Sequence, residues 1–189
     1  MKKISVLLFS LASTLVAMGQ DYIYEKVTTA PADWEGEYLI VREIDQTNMA
    51  IIFNGALTNL DQKNNVIQTT CPHTTNGARY IVSTPEVDAA TFIIEHDITA
   101  GCYYIKSKSG LWIGYNKSAS NGANLKCDNQ KKFENHISME NGKTNINIRA
   151  KNGLLLRFNA DEGSYRFRYY EKDKKKGIKL YKKVRVVKG

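Results

Sequence analysis

An internal repeat constrains this chain more than any other feature. The segment YYIKSKSGLWIGYN at 103–116 aligns without a gap to INIRAKNGLLLRFN at 146–159, an offset of 43 residues. Ile105 matches Ile148, Lys108 matches Lys151, Gly110 matches Gly153, Leu111 matches Leu154 and Asn116 matches Asn159. The preceding segments follow nearly the same offset, with FIIEH at 92–96 against HISME at 136–140, and a looser third copy runs from YLIV at 38–41 to IIFN at 51–54. Each copy reads as strand, turn and strand, closing on an aromatic residue and an asparagine: Phe53-Asn54, Tyr115-Asn116 and Phe158-Asn159. Self-similarity at such a period marks a supersecondary unit that cannot bury its apolar face alone and must stack on its neighbours.

The units are built of strands. Helical periodicity is almost absent after residue 20, whereas short runs rich in Tyr, Ile, Val and Phe recur between clusters of Gly, Asn, Asp and Ser, the pattern of β-strands bounded by turns. Fourteen strands are predicted: Tyr22–Val27, Glu37–Arg42, Met49–Asn54, Asn65–Thr69, Arg79–Ser83, Thr91–His96, Cys102–Ser107, Leu111–Tyr115, Ala123–Asp128, His136–Met139, Asn145–Arg149, Leu154–Asn159, Tyr165–Tyr170 and Ile178–Lys183. With 189 residues, 42% of them apolar, the chain suffices for one well-developed domain and not for two.

Three units of about forty residues, with the closing IKLYKK able to lie against the opening YIYEKV, match a β-trefoil-like closed barrel. Approximate units are 20–88, 89–132 and 133–189. The first is lengthened by an insertion from Ala56 to Pro85 carrying Cys71 and His73. Another antiparallel barrel or a sandwich stays open as the alternative.

The combination of EYLIV, IIFNGAL, SGLWIGYN and YRFRYYEKDKKKGIKLYKK resembles a group of small secreted domains of Bacteroidetes-type bacteria that occur alone or beside other extracellular modules. More distantly, the repeats are similar to ricin-type β-trefoil lectins, whose units usually carry Gln-x-Trp near their ends. Here Gln130 is followed by Phe133 instead, and the other units lack even that. The resemblance implies a β-trefoil fold and carries no sugar-binding residue over.

Residues 1–19 read as a secretory signal peptide, with Lys2 and Lys3, an apolar run from Ile4 to Val16, and small residues Ala17 and Gly19 at the cleavage site. Export, to the periplasm, the cell surface or beyond, follows as an expectation, with no later segment able to span a membrane as a helix. The formal charge of +8 falls to +6 when Lys2 and Lys3 are removed. Between Arg166 and Lys188 eleven basic residues face only Glu171 and Asp173, a local +9. The three cysteines, Cys71, Cys102 and Cys127, leave at least one thiol unpaired, and Cys102 with Cys127 is the preferred disulfide. No CxxC occurs, so neither a metal nor another cofactor is expected.

The histidines His73, His96 and His136 lie in no nucleophile-elbow or HExxH arrangement, and His96 and His136 read as packing residues. The segment Tyr165 to Tyr169 alternates aromatic and Arg residues, setting guanidinium groups on one strand face. Arg166, Arg168, Lys172, Lys174, Lys175 and Lys176 form a candidate anion patch for a polyanion such as a sulfated glycan, with nucleic acid disfavoured by export. For a neutral sugar the useful groups are an aromatic face and amides. Trp112, Tyr115, Asn116 and Asn121 supply these in the second unit, and Phe158 and Asn159 in the third. The function expected is a secreted, non-catalytic module binding extracellular glycan. A partner-protein or protease-inhibitor module presenting the Ala56–Pro85 insertion is the alternative, and an extracellular enzyme is third.

Overall fold

The computed structural model describes residues 21–44, 47–73, 78–115, 125–161, 163–170 and 175–186. The expected signal segment and the residues Asn116, Asn121, Lys172 and Lys174 lie outside them. The strands are β1 (Tyr22–Lys26), β2 (Gly36–Glu43), β3 (Met49–Phe53), β4 (Val66–Thr70), β5 (Tyr80–Val82), β6 (Phe92–Asp97), β7 (Cys102–Ser107), β8 (Trp112–Gly114), β9 (Lys126–Asp128), β10 (Asn135–Met139), β11 (Ile146–Ala150), β12 (Leu155–Asn159), β13 (Arg166–Tyr170) and β14 (Lys179–Arg185). All fourteen predicted segments hold a strand. Among the described residues a short helix, α1 (Pro85–Ala89), goes beyond the strands expected. It is too short to show a helical period, and its signal is local: Thr84 caps Val87 N, and Pro85 opens the first turn with Glu86 and Asp88 behind it.

The pairings are antiparallel and form one large sheet along the path β13-β12-β11-β10-β7-β6-β2-β14-β1-β5. Off this path, β3 joins β2 and carries β4, and β8 joins β7 and carries β9. Two isolated bridges, Ile146 to Ile178 and Phe158 to Lys176, set β11 and β12 beside the stretch preceding β14. The two aligned segments turn alike. Ser107 N and Gly110 N bond Leu111 O and Ser107 O at 2.8 and 2.9 Å, while Ala150 N and Gly153 N bond Leu154 O and Ala150 O at 2.9 and 2.8 Å. Gly110 and Gly153 hold φ of 93° and 91°, a conformation that side chains resist.

Apolar side chains on one face of the strands form the central core, with Phe53, Phe92, Phe158 and Phe167 at its middle. Phe53 lies 4.8 Å from Phe92 and 5.2 Å from Phe167 between ring centroids. Strand β2 is buried on both faces, which explains its near-continuous apolar run. Tyr38 and Ile40 enter the central core, whereas Leu39 and Val41 enter a second one with Tyr24, Ile52, Cys71, Ile81 and Val87. The insertion from Ala56 to Pro85, which contributes β4 and β5, serves both cores: Leu60 enters the central one, and Cys71 and Ile81 enter the second with Val87 of α1. Each fully buried Leu, Ile or Val there contributes about 1.5–3 kcal/mol.

Two fully buried asparagines tie distant segments together. Asn65 Nδ2 donates to Leu60 O and Phe167 O and its Oδ1 accepts from Phe167 N, at 2.7, 3.0 and 2.9 Å. Asn135 Nδ2 donates to Ile113 O and Phe133 O, at 3.1 and 3.0 Å, and its Oδ1 accepts from Tyr169 Oη at 2.6 Å.

Candidate functional site

The turn between β10 and β11 is a polar hexapeptide, Glu140 to Asn145, in which Gly142 takes a φ of 68°. Main-chain bonds from Glu140 N to Asn145 O (2.9 Å) and Lys143 N to Glu140 O (3.0 Å) close it. With Thr28, Thr29 and Ala30 beyond β1, Met139 and Lys179, it lines an open cleft of about 860 Å³.

The polar groups of this cleft are already set by one another. Asn145 Nδ2 donates to Glu140 Oε2 at 2.9 Å, and Lys143 Nζ approaches Glu140 Oε1 at 3.3 Å. Lys179 Nζ donates to Thr144 Oγ1 at 2.7 Å. The bond from Asn145, aided by Lys143 and Arg157, holds the Glu140 carboxyl below its ordinary range against the effect of burial, so it is an ionised acceptor at neutral pH. A Cβ on Gly177 would lie 3.0 Å from Asn145 Cγ, so glycine leaves the amide its place. Hydroxyl, amide, carboxylate and ammonium groups thus face one open volume, the donor and acceptor mixture that suits a polyhydroxylated ligand.

Among the described residues, none of those singled out in the sequence lines this cleft. Tyr115 and Phe158 belong to the central core at 3% and 2% exposure, so their rings offer no face to solvent. Asn159 is buried; its Oδ1 accepts from Asp161 N and its Nδ2 donates to Ser164 O. Asn54 likewise accepts from Ala56 N. The aromatic residue therefore fills the core in all three pairs, and the asparagine shapes a turn at Asn54 and Asn159. Trp112 is different: it is 6% exposed on the outer side of the sheet, with Lys106 and Lys132 over its ring at 4.9 and 4.5 Å.

The basic patch is partly neutralised. Arg168 Nε sits 2.5 Å from Asp61 Oδ1 and Lys175 Nζ 2.8 Å from Asp161 Oδ2. Lys176 exchanges main-chain bonds with Phe158 at 3.0 Å. Arg166 shares the outer face of β13 with Arg168, which pairs in register with the buried Arg157 of β12.

The expected Cys102–Cys127 disulfide is absent, and the register gives the reason. Ile105 pairs with Ile113 and Ile113 with Cys127, which puts Cys127 on the side of the core. Cys102 lies three residues before Ile105 and so faces the opposite side. All three thiols are free. Burial raises Cys71 and pushes Cys127 up to about 12, keeping both protonated and unreactive.

Two further polar groupings escaped the sequence reading. His96 Nδ1 donates to Asp33 Oδ2 at 2.7 Å while its ring stacks on Tyr103 at 4.5 Å. This bond, with one from Glu35 N, holds Asp33 below its usual range and clasps the segment before β2 to β6. His136, in contrast, is exposed rather than packed. In the second grouping Glu43 accepts from Tyr181 Oη at 2.5 Å and pairs with Lys26 at 2.8 Å, with Cys71 Sγ 3.1 Å from Tyr181 Oη. Among the described residues no group of three or more His, Cys, Asp or Glu side chains is placed to hold a metal, and no helix is long and apolar enough to cross a membrane.

The chain matches no protein-family model, no curated protein and no solved structure.

Proposed function

We propose that this chain is an exported, non-catalytic binding module of β-trefoil-like construction, and that it takes a glycan in the cleft between residues 28–30 and the β10–β11 turn. The observation that carries the reading is the preset Glu140–Asn145 pair, with Thr144 and Lys179 beside it, facing an open volume of about 860 Å³. A carboxylate and an amide held in fixed orientation can bond adjacent hydroxyls of a sugar ring without losing side-chain entropy on binding. The trefoil-like construction is supported by the three hairpin arms β3–β4, β8–β9 and β12–β13, and by the Ile146–Ile178 bridge, which approaches a closure of the sheet. Export is supported by the basic and apolar character of residues 1–19.

The test is binding of residues 20–189 to an array of neutral and sulfated glycans at low and high salt. The reading expects salt-resistant binding to a neutral member, weakened about ten-fold or more by Glu140→Ala, since a hydrogen bond to a charged group contributes about 1.5–3 kcal/mol. Binding only to sulfated members that vanishes with salt would move the site to the basic face of β13. Binding to no glycan would overturn the reading.

A further inference from the structure

On the outer side of the sheet, Glu95 of β6 pairs with Tyr104 of β7, and Lys106 of β7 pairs with Trp112 of β8. The Tyr104 and Trp112 rings meet edge to face, 6.4 Å apart at 78°. Lys132, from the segment after β9, lays its ammonium 4.9 Å from the Tyr104 centroid and 4.5 Å from that of Trp112. Its Nζ also pairs with Glu95 Oε2 at 2.8 Å. Two aromatic faces and a carboxylate converging on one ammonium are the chemistry by which alkylammonium groups are recognised.

The backbone on either side of Lys132 is fixed. Asp128 Oδ1 accepts from Gln130 N and Lys131 N at 2.8 and 2.7 Å, which turns the chain back over the sheet. Phe133 is 7% exposed and lies so close to Gly114 that a Cβ there would fall 2.3 Å from Phe133 Cβ. Lys132 itself remains on the surface, its side chain 45% exposed, as does Glu95 at 41%. Both the occupant and the carboxylate that pairs with it are therefore open to exchange.

We infer that Glu95, Tyr104 and Trp112 form a second binding site, for a ligand presenting an alkylammonium group, and that Lys132 is its built-in competitor. A tethered competitor lowers the apparent affinity of the free ligand by the fraction of time it fills the site. Removing it strengthens binding about ten-fold, the size of a cation–π contact reinforced by an exposed ion pair. Lys106, 4.9 Å from the Trp112 centroid, opposes a second cation and favours ligands of single charge.

Trp112 reports its own occupancy, because a cation over the indole quenches its fluorescence. Lys132→Ala and Lys132→Gln are titrated with n-butylammonium and, separately, with the peptide Gly-Lys-Gly, using sodium chloride at equal ionic strength as the blank. Saturable quenching about ten-fold tighter than in the unaltered chain supports the site, and the ratio of the two probes separates a small amine from a lysine side chain. Glu95→Gln in the Lys132→Ala background weakens it, and Trp112→Phe abolishes the signal, leaving only Trp34. Quenching equal to the blank in both Lys132 variants with circular dichroism unchanged, or quenching that survives Trp112→Phe, overturns the inference.

Discussion

Replacing Asn135 with alanine removes three hydrogen bonds from a place water does not reach, and the cost follows from the partners left behind. The side chain is fully buried, as is Tyr169, whose hydroxyl donates to Asn135 Oδ1 at 2.6 Å. Its amide serves the carbonyls of Ile113 and Phe133, so one residue binds β8, the segment entering β10, and β13. At about 1 kcal/mol net for each bond, and more for a hydroxyl stranded without a partner, Asn135→Ala costs about 3–5 kcal/mol. For a domain of this size that lowers the melting temperature by about 10 °C. Tyr169→Phe alone costs about 1–2 kcal/mol, because it leaves Oδ1 unmet. In the Asn135→Ala background the same change costs almost nothing, since the hydroxyl it deletes has already lost its acceptor. Urea unfolding of the four chains in this cycle measures a coupling of about 1–2 kcal/mol. A loss below about 1 kcal/mol for Asn135→Ala, or strictly additive effects, would refute the assignment of this asparagine as the link between these three segments.

Two other outcomes test the packing and the buried charge. Gly55→Ala places a Cβ 2.4 Å from Thr91 O and 2.8 Å from Ala90 O, both main-chain atoms that cannot swing aside; a loss of about 2–3 kcal/mol is expected in thermal melts, and an unchanged melt would contradict the close approach. At Glu43, burial raises the carboxyl while bonds from Lys26 and Tyr181 and the charges of Lys26 and Arg79 lower it, the lowering being the larger. The stabilisation from its ionised form is therefore complete above the unfolded carboxyl range near about 4.3 and is lost as pH falls through the lower folded value. Glu43→Gln should be less stable than the unaltered chain at pH 7 by urea unfolding, with the gap narrowing in acid; a gap that widens in acid would reverse the direction assigned.

The strands were legible because each carries β-branched and aromatic residues between turn formers, a local signal that packing reinforces. Strand β2 could not be told from periodicity alone to be covered on both faces; only the second core, with Leu39 and Val41 on one side and Tyr38 and Ile40 on the other, explains its unbroken apolar run. The thiol pairing failed for a reason of register, since proximity in the repeat said nothing of which side of the sheet Cys102 and Cys127 face. The aromatic–Asn pairs read as a sugar face in the sequence, but repetition also records what each segment must do to pack. Phe53, Tyr115 and Phe158 recur as core residues, and Asn54 and Asn159 recur as turn formers.

Binding chemistry is then to be sought where the units differ. At the offset of 43 residues the turn Glu140–Asn145 corresponds to Asp97–Cys102. The first is Glu-Asn-Gly-Lys-Thr-Asn and lines the cleft, whereas the second is Asp-Ile-Thr-Ala-Gly-Cys and turns Ile98 outward at 83% exposure. The same offset aligns Tyr104 with Asn147 and Trp112 with Leu155, so the aromatic pair beneath Lys132 has no counterpart in the third unit. Both candidate sites thus stand on positions where one unit departs from its partner while the core positions around them agree. Glu95, Tyr104, Glu140 and Asn145 are only half-buried, outside the packing that fixes Ile105 with Ile148 and the positive φ that fixes Gly110 with Gly153, which leaves their side chains available for recognition.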